Sequence, residues 1–132
     1  MPLITITLAE GKYSTSEKQA ISDGIHRAIV HAGFPESDKF QRILELPAAH
    51  FLYNPTHPNL QTPRSEKFIA IEILLSVGRS VEFKKTILTA LIENMQQGVG
   101  VAPNDVLVVF IETARENWAF ASGVQYYVEQ EK

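Results

Sequence analysis

Two stretches of this chain repeat one another about 66 residues apart, and that spacing limits the folds open to it more than any other feature. Ser14 and Ser80 are 66 residues apart, as are Pro2 and Phe68, while Asp38 and Asp105 are 67 apart. Each pair holds the same place in a strand–helix–strand pattern. In the first unit Leu3 to Leu8 alternates apolar and β-branched types and reads as a strand. Ser14 with Glu17 three places on is a capping box, since each side chain can accept from an orphan N–H of the first turn. The helix that follows carries Ala20, Ile21, Ile25, Ala28, Ile29 and Ala32 on one face and stops at Gly33. A second strand runs from Phe40 to about Leu46.

The second unit copies the first. Phe68 to Leu75 reads as a strand, and Gly78-Arg79-Ser80 turns the chain with Ser80 as N-cap. Phe83, Ile87, Leu91 and Met95 recur every four residues along a second helix, which ends at Gly98-Val99-Gly100. Val106 to Ile111 is a fourth strand, and Gly123 to Val128 reads as a short fifth. Between the units, residues 47–67 form a loop of about twenty residues holding Pro47, Pro55, Pro58 and Pro63. Loops of that length in compact domains are usually functional or pack on a partner.

Two such units imply two right-handed crossovers joined in one mixed sheet, an α+β two-layer fold with both helices on one face. The 132 residues are expected to form one domain, with units at 2–46 and 68–111 and an extension at 112–132. Two helices cover only one face of the sheet. The other face stays apolar and calls for further copies of the chain.

Composition narrows the function classes. A net charge of -3 leaves no basic footprint, so neither nucleic acid nor an anionic membrane is an expected partner. The absence of Cys removes disulfides, thiolate chemistry and Cys-based zinc sites. There is no apolar run of membrane-spanning length and no signal peptide, and a cytoplasmic location is expected. His26 and His31 are five apart on a helix and do not share a face. His50 and His57 have no acidic residue near them at ligand spacing, so no metal site is expected. The glycines at 98 and 100 follow a helix and precede a strand, the wrong context for a phosphate-cradling loop.

An approximate two-fold between the units makes strands one and three antiparallel. The start of strand one (Pro2), the start of strand two (Asp38), the end of strand three (Arg79) and the end of strand four (the Trp118 segment) then share one edge of the sheet. Alone, each residue has an ordinary explanation. Asp38 reads as a solvated strand lead-in, Arg79 as a surface residue in a turn, and Trp118 and Phe120 as core or interface aromatics. Together they make a site. Arg79 enters the second helix where unpaired N–H groups already favour an anion, and its planar fork suits a carboxylate. A small residue after the initiator normally permits removal of Met1, which would leave Pro2 with a free secondary amine able to act as base, acid or nucleophile.

The segments Pro2-Leu3-Ile4, Pro35 to Gln41, Arg64-Ser65, Gly78-Arg79-Ser80, Pro103 to Val106 and Asn117 to Phe120 stand in an order, across nearly the whole chain, that resembles the tautomerase superfamily. Within it, the chain is similar to the longer group that includes malonate semialdehyde decarboxylase. The resemblance implies a tautomerase-like trimer with no cofactor and a catalytic amino-terminal proline, Pro2. It also implies that Asp38 positions or activates water and that Arg79 holds a substrate carboxylate. Trp118 and Phe120 would line the pocket, and Arg64 would be a second carboxylate contact. Tyr53 and His57 are expected to pack within the loop. Some decarboxylase members carry two arginines in the turn before the second helix, whereas Val77 stands at the earlier position here.

The chemistry then depends on one nitrogen. Burial against aromatics, and a nearby Arg79, favour a neutral Pro2 that moves a proton between carbon and oxygen of a small 2-oxo acid or its enol. Asp38 favours a protonated Pro2, which suits decarboxylation or hydration of a 3-oxo acid such as malonate semialdehyde. A Schiff base from Pro2 to an aldehyde is a third route. A trimeric binding protein without turnover is the expectation of another class.

Overall fold

The computed structural model describes residues 2–130. Strands β1 (Leu3–Ala9), β2 (Gln41–Leu46), β3 (Ile69–Ser76) and β4 (Val106–Thr113) form one sheet in the order β2-β1-β3-β4. The outer pairs are parallel and the central pair β1–β3 is antiparallel. Helix α1 (Thr15–His31) crosses from β1 to β2, and α2 (Val81–Val99) crosses from β3 to β4. This is the mixed sheet of two β-α-β units that the repeat implies.

Local chemistry sets the helix starts. Ser14 Oγ accepts from the Glu17 amide at 3.1 Å, and Glu17 Oε1 accepts from the Ser14 amide at 2.8 Å. Both orphan donors are satisfied, and these hydrogen bonds hold the Glu17 carboxyl below its ordinary range. Ser80 caps α2 in the same way, accepting from the Phe83 amide at 3.0 Å. Helix α1 ends with Ala32 as its cap and Gly33 at φ 115°, a conformation that favours a residue without Cβ.

Strand alternation divides the sheet into two unlike faces. Ile43, Ile6, Ile71 and Val108 form one row across it in register. They pack against Ile21, Ile25, Ile29, Ile87, Leu91 and Met95 of the helices. The next row is Arg42, Thr5, Glu72 and Val109, and it faces away from the helices. On that far face Leu44, Leu107, Val109 and Ile111 are each exposed by 38% or more. Side chains of this type facing water in a row mark a surface built for burial.

Two expectations change at the C-terminus. Strand β4 runs on to Thr113, two residues past the expected end. The expected fifth strand at 123–128 is not formed; Tyr126–Gln130 is a short helix, α3, and only a single bridge links Ala119 to Gln125. The reason is aromatic packing. Tyr126 and Tyr127 both set their rings edge-on to Phe120, with centroids 5.5 and 5.9 Å away. Adjacent residues of a strand point to opposite faces, so the two tyrosines cannot share that ring from an extended backbone. The last residues of the expected extension, 131–132, lie outside the described residues.

The helix-facing row carries the stability. Ile71 is fully buried at the centre of β3, and Ile71→Ala is expected to cost about 2–5 kcal/mol in denaturant unfolding. A loss under about 1 kcal/mol would mean the site collapses around the smaller side chain.

Candidate active site

All four expected strand ends meet at one edge of the sheet. Pro2 is buried there and lines a cleft of about 410 Å³ whose walls include Phe40, Leu74, Trp118 and Phe120. Thr113 and Asn117 supply part of its polar lining, and Asn117 Nδ2 donates to Thr113 Oγ1 at 2.6 Å. Trp118 is 9% exposed, and its buried indole Nε1 has no hydrogen-bond partner among the described residues. An unspent donor in an apolar wall is costly unless something else uses it. Met1, whose removal the sequence leads us to expect, lies outside the described residues.

A second cleft of about 460 Å³ adjoins the first. Asp38, Arg79, Tyr126 and Tyr127 line it, together with the Phe34-Pro35 turn. Phe40 and Phe120 belong to both clefts. Their rings stack with centroids 6.5 Å apart and planes within 17°, and Trp118 stands 5.7 Å from Phe120. The aromatic pair therefore forms a wall between the proline side and the charged side. Pro2, Asp38 and Arg79 share one edge, as their places at the strand ends imply, but the aromatic partition between them does not follow from those places.

Charge on the far side of the wall is organised around rings. The Arg79 guanidinium lies over Phe34 at 5.0 Å and over Phe83 at 4.7 Å. These contacts hold it by cation–π attraction. Arg115 lies over Tyr127 at 4.8 Å. Burial pushes the Tyr127 hydroxyl above its ordinary value, and the Asp38 carboxylate acts in the same direction. Arg115 and Arg79 oppose it by stabilising the phenolate.

Arg64 is not brought to this site within the chain. Its Nη1 donates to the Asn54 carbonyl at 2.8 Å and to the His57 carbonyl at 2.6 Å, and its guanidinium sits 5.6 Å above Phe68. Tyr53 donates to the Ser65 carbonyl and its ring lies 4.3 Å from Phe68. Loop 47–67 thus packs on the opposite end of the sheet, as the direction of the strands requires. Phe40, Arg115, Tyr126 and Tyr127 are site residues that the sequence reasoning missed. Phe40 immediately precedes β2, two residues after Asp38, so its place at the strand end carried the signal for it. Arg115 follows β4 at the same edge and could have been found in the same way. The tyrosines were hidden by the strand reading of 123–128.

A family model described as "Tautomerase enzyme" matches residues 38–121, and a second with the same description matches residues 2–59. The chain belongs to the tautomerase enzymes. It is 28% identical over 124 residues to the probable tautomerase YrdN of Bacillus subtilis, which covers 93% of each chain. Among solved structures, it is similar to FG41 malonate semialdehyde decarboxylase inhibited by 3-bromopropiolate. That match has a TM-score of 0.89 and 29% identity over 98% of this chain and 97% of the other. A fused 4-OT solved as a symmetric trimer shares the fold, with a TM-score of 0.74 at 21% identity over 92% of this chain and 94% of the other. The reading as a protein without turnover gives way to an enzyme of this family.

The Tyr127 environment can be checked directly. In a tyrosine titration followed by NMR, Tyr127 is expected to ionise above the ordinary tyrosine value. Asp38→Asn should move that midpoint down by removing a negative neighbour, and Arg115→Gln should move it further up. Shifts of the opposite sign would show that these groups do not face the ring.

Proposed function

We propose that the enzyme is a cofactor-independent isomerase in which Pro2, freed by removal of Met1, moves a proton within a small 2-oxo acid or its enol. The observation that carries this reading is the burial of Pro2 in a mostly apolar cleft beside an unpartnered indole N–H. Burial disfavours the ammonium form of an amine, and the Phe40–Phe120 wall stands between Pro2 and the cleft that holds Asp38. Both features favour a neutral base. In ketonisation the Pro2 lone pair takes the enol O–H proton, and the resulting prolinium delivers it to C3, leaving the ketone with atoms and charge conserved. Trp118 Nε1 is placed to donate to the substrate oxygen as negative charge gathers on it. Arg79 would hold the carboxylate from the neighbouring cleft.

A second reading rests on Asp38 and on the likeness to a malonate semialdehyde decarboxylase. If Asp38 keeps Pro2 protonated, the prolinium is a general acid toward the carbonyl oxygen of a 3-oxo acid. The bond from C2 to the carboxylate breaks, CO2 leaves, and the electron pair passes through C2–C3 to the oxygen, which takes the proton. The same carboxylate could instead activate water for hydration.

We also read the exposed far face of the sheet as the surface on which further copies assemble, as a homotrimer. That face carries Leu44 on β2 and Leu107, Val109 and Ile111 along β4; between these two edges Arg42 Nε donates to Thr5 Oγ1 at 2.9 Å.

Four measurements test these statements. Intact mass should show loss of one methionine; a retained Met1 would make the Pro2 nitrogen an amide and end both readings. Pro2→Ala is expected to lower turnover of phenylenolpyruvate or malonate semialdehyde by about 10²-fold or more, and unchanged rates on both would remove Pro2 from the chemistry. Activity that rises with pH as Pro2 loses its proton supports the isomerase, whereas activity lost over the same limb supports the acid mechanism. For assembly, Val109→Glu should shift the sedimentation profile to smaller species, and an unaltered profile would place the interface elsewhere.

A further inference from the structure

One small cavity next to the site is used by neither reading. It holds about 230 Å³ and is lined by Ser76, Val77, Gly78, Arg79, Arg115 and Tyr127. Two guanidiniums reach it from different elements, Arg79 from the turn before α2 and Arg115 from the 3₁₀ turn Arg115–Asn117 after β4. At its wall Ser76 is 7% exposed and its Oγ has no hydrogen-bond partner among the described residues. A buried hydroxyl left unsatisfied in a native structure calls for an explanation. Here the missing partner would be an acceptor, because both charged side chains at the cavity are donors only.

Three further features favour an anion. The cavity abuts the entry of α2, a 19-residue helix whose first N–H groups carry partial positive charge. Both guanidiniums are pre-placed by ring contacts, Arg79 on Phe34 and Phe83 and Arg115 on Tyr127. A planar donor fork held against a ring loses little freedom on binding. Gly78 adopts φ 100° at this turn, and a Cβ built there would meet nothing within 4 Å. Glycine is therefore required by the backbone bend that brings Arg79 round rather than by crowding.

We propose that this cavity is the carboxylate subsite of the enzyme, with Arg115 as its second cation and Ser76 as its buried neutral donor. Arg115 is thus a specificity-determining residue: it selects substrates bearing a free carboxylate. The proposal deepens the reading of Arg79 given above and rests on it. The carboxylate is clasped from two sides. Arg79 lines both this cavity and the Asp38 cleft, so a carboxylate held here lies next to the cleft that shares Phe40 and Phe120 with the Pro2 cleft. Tyr127, ringed by Arg115 and facing both cavities, closes the space between them.

The test separates binding from turnover. The chain holds one tryptophan, Trp118, whose ring stands 5.7 Å from Phe120 of the Asp38 cleft, so its fluorescence reports occupancy of that cleft and the cavity it joins. The probe is 3-phenylpropanoate, a carboxylate that cannot enolise, titrated against its methyl ester and against inorganic phosphate. The proposal expects the acid to bind the native enzyme and the ester to bind at least about tenfold more weakly, because the ester lacks the charge that two guanidiniums recognise. Arg115→Gln should weaken the acid at least about tenfold and so collapse the acid-to-ester preference, Arg115→Lys should restore part of it, and Ser76→Ala should reduce it by a smaller factor. Equal affinity of acid and ester for the native enzyme, or an unchanged preference in Arg115→Gln with native circular dichroism, would overturn the proposal. Tight binding of phosphate with no binding of the acid would also overturn it, assigning the cavity to a phosphate instead. These readouts need no catalysis, so a failure of Pro2 as the reacting group leaves them interpretable.

Discussion

The antiparallel pairing of β1 with β3 is the constraint on which the remaining structure depends. Each β-α-β unit by itself runs its two strands in parallel and brings only its own strand starts together. Pairing Leu3 with Leu74 and Leu8 with Ile69 turns the second unit end for end. The ends of β3 and β4 then join the starts of β1 and β2. Proline, carboxylate, guanidinium and indole come from four places far apart in the chain and meet at one edge because of that pairing.

The same pairing creates an opposite edge that is equivalent in position and different in chemistry. The 66-residue offset sets Phe68 against Pro2 and Tyr13 against Arg79, and an offset of 67 sets Asp105 against Asp38. Phe68 is buried among Phe51 and Tyr53. Tyr13 donates its hydroxyl to the Lys67 carbonyl at 2.7 Å, and burial raises its pKa. Asp105 is 5% exposed and accepts from the amide and the hydroxyl of Ser65, each at 2.6 Å. There, the carboxylate is spent on tying the start of β3 to the start of β4. One end of the sheet is sealed by hydrogen bonds and rings, and the other keeps donors and charges facing open clefts. The fold supplies two sites; side-chain identity leaves one of them open to chemistry.

The site itself is shaped by aromatics more than by charge. Phe40 and Phe120 divide it, Trp118 backs the proline side, and Phe34, Phe83 and Tyr127 hold the two arginines. Rings can do both jobs because a π-face attracts a guanidinium while the body of the ring excludes water. One side of the wall is therefore mostly apolar, and the other holds two fixed cations.

The sequence by itself determined whatever depends on neighbours along the chain. The caps at Ser14 and Ser80 were legible because the acceptors and the amides they serve lie within three residues. The faces of both helices were legible from the spacing of Ile21, Ile25, Ile87 and Leu91, and the repeat made the antiparallel centre of the sheet and the shared edge deducible. Only tertiary structure decided the rest. Tyr126–Gln130 became a helix because Phe120 offers one ring to two consecutive tyrosines, a contact that no local pattern of β-branched and aromatic residues reveals. The wall between Pro2 and Asp38 exists because Phe40 and Phe120, 80 positions apart, stack across the edge. Arg115 joins Arg79 at one cavity for the same reason: which long side chains meet at a sheet edge is set by packing across elements, and that information is not carried by spacing within any one of them.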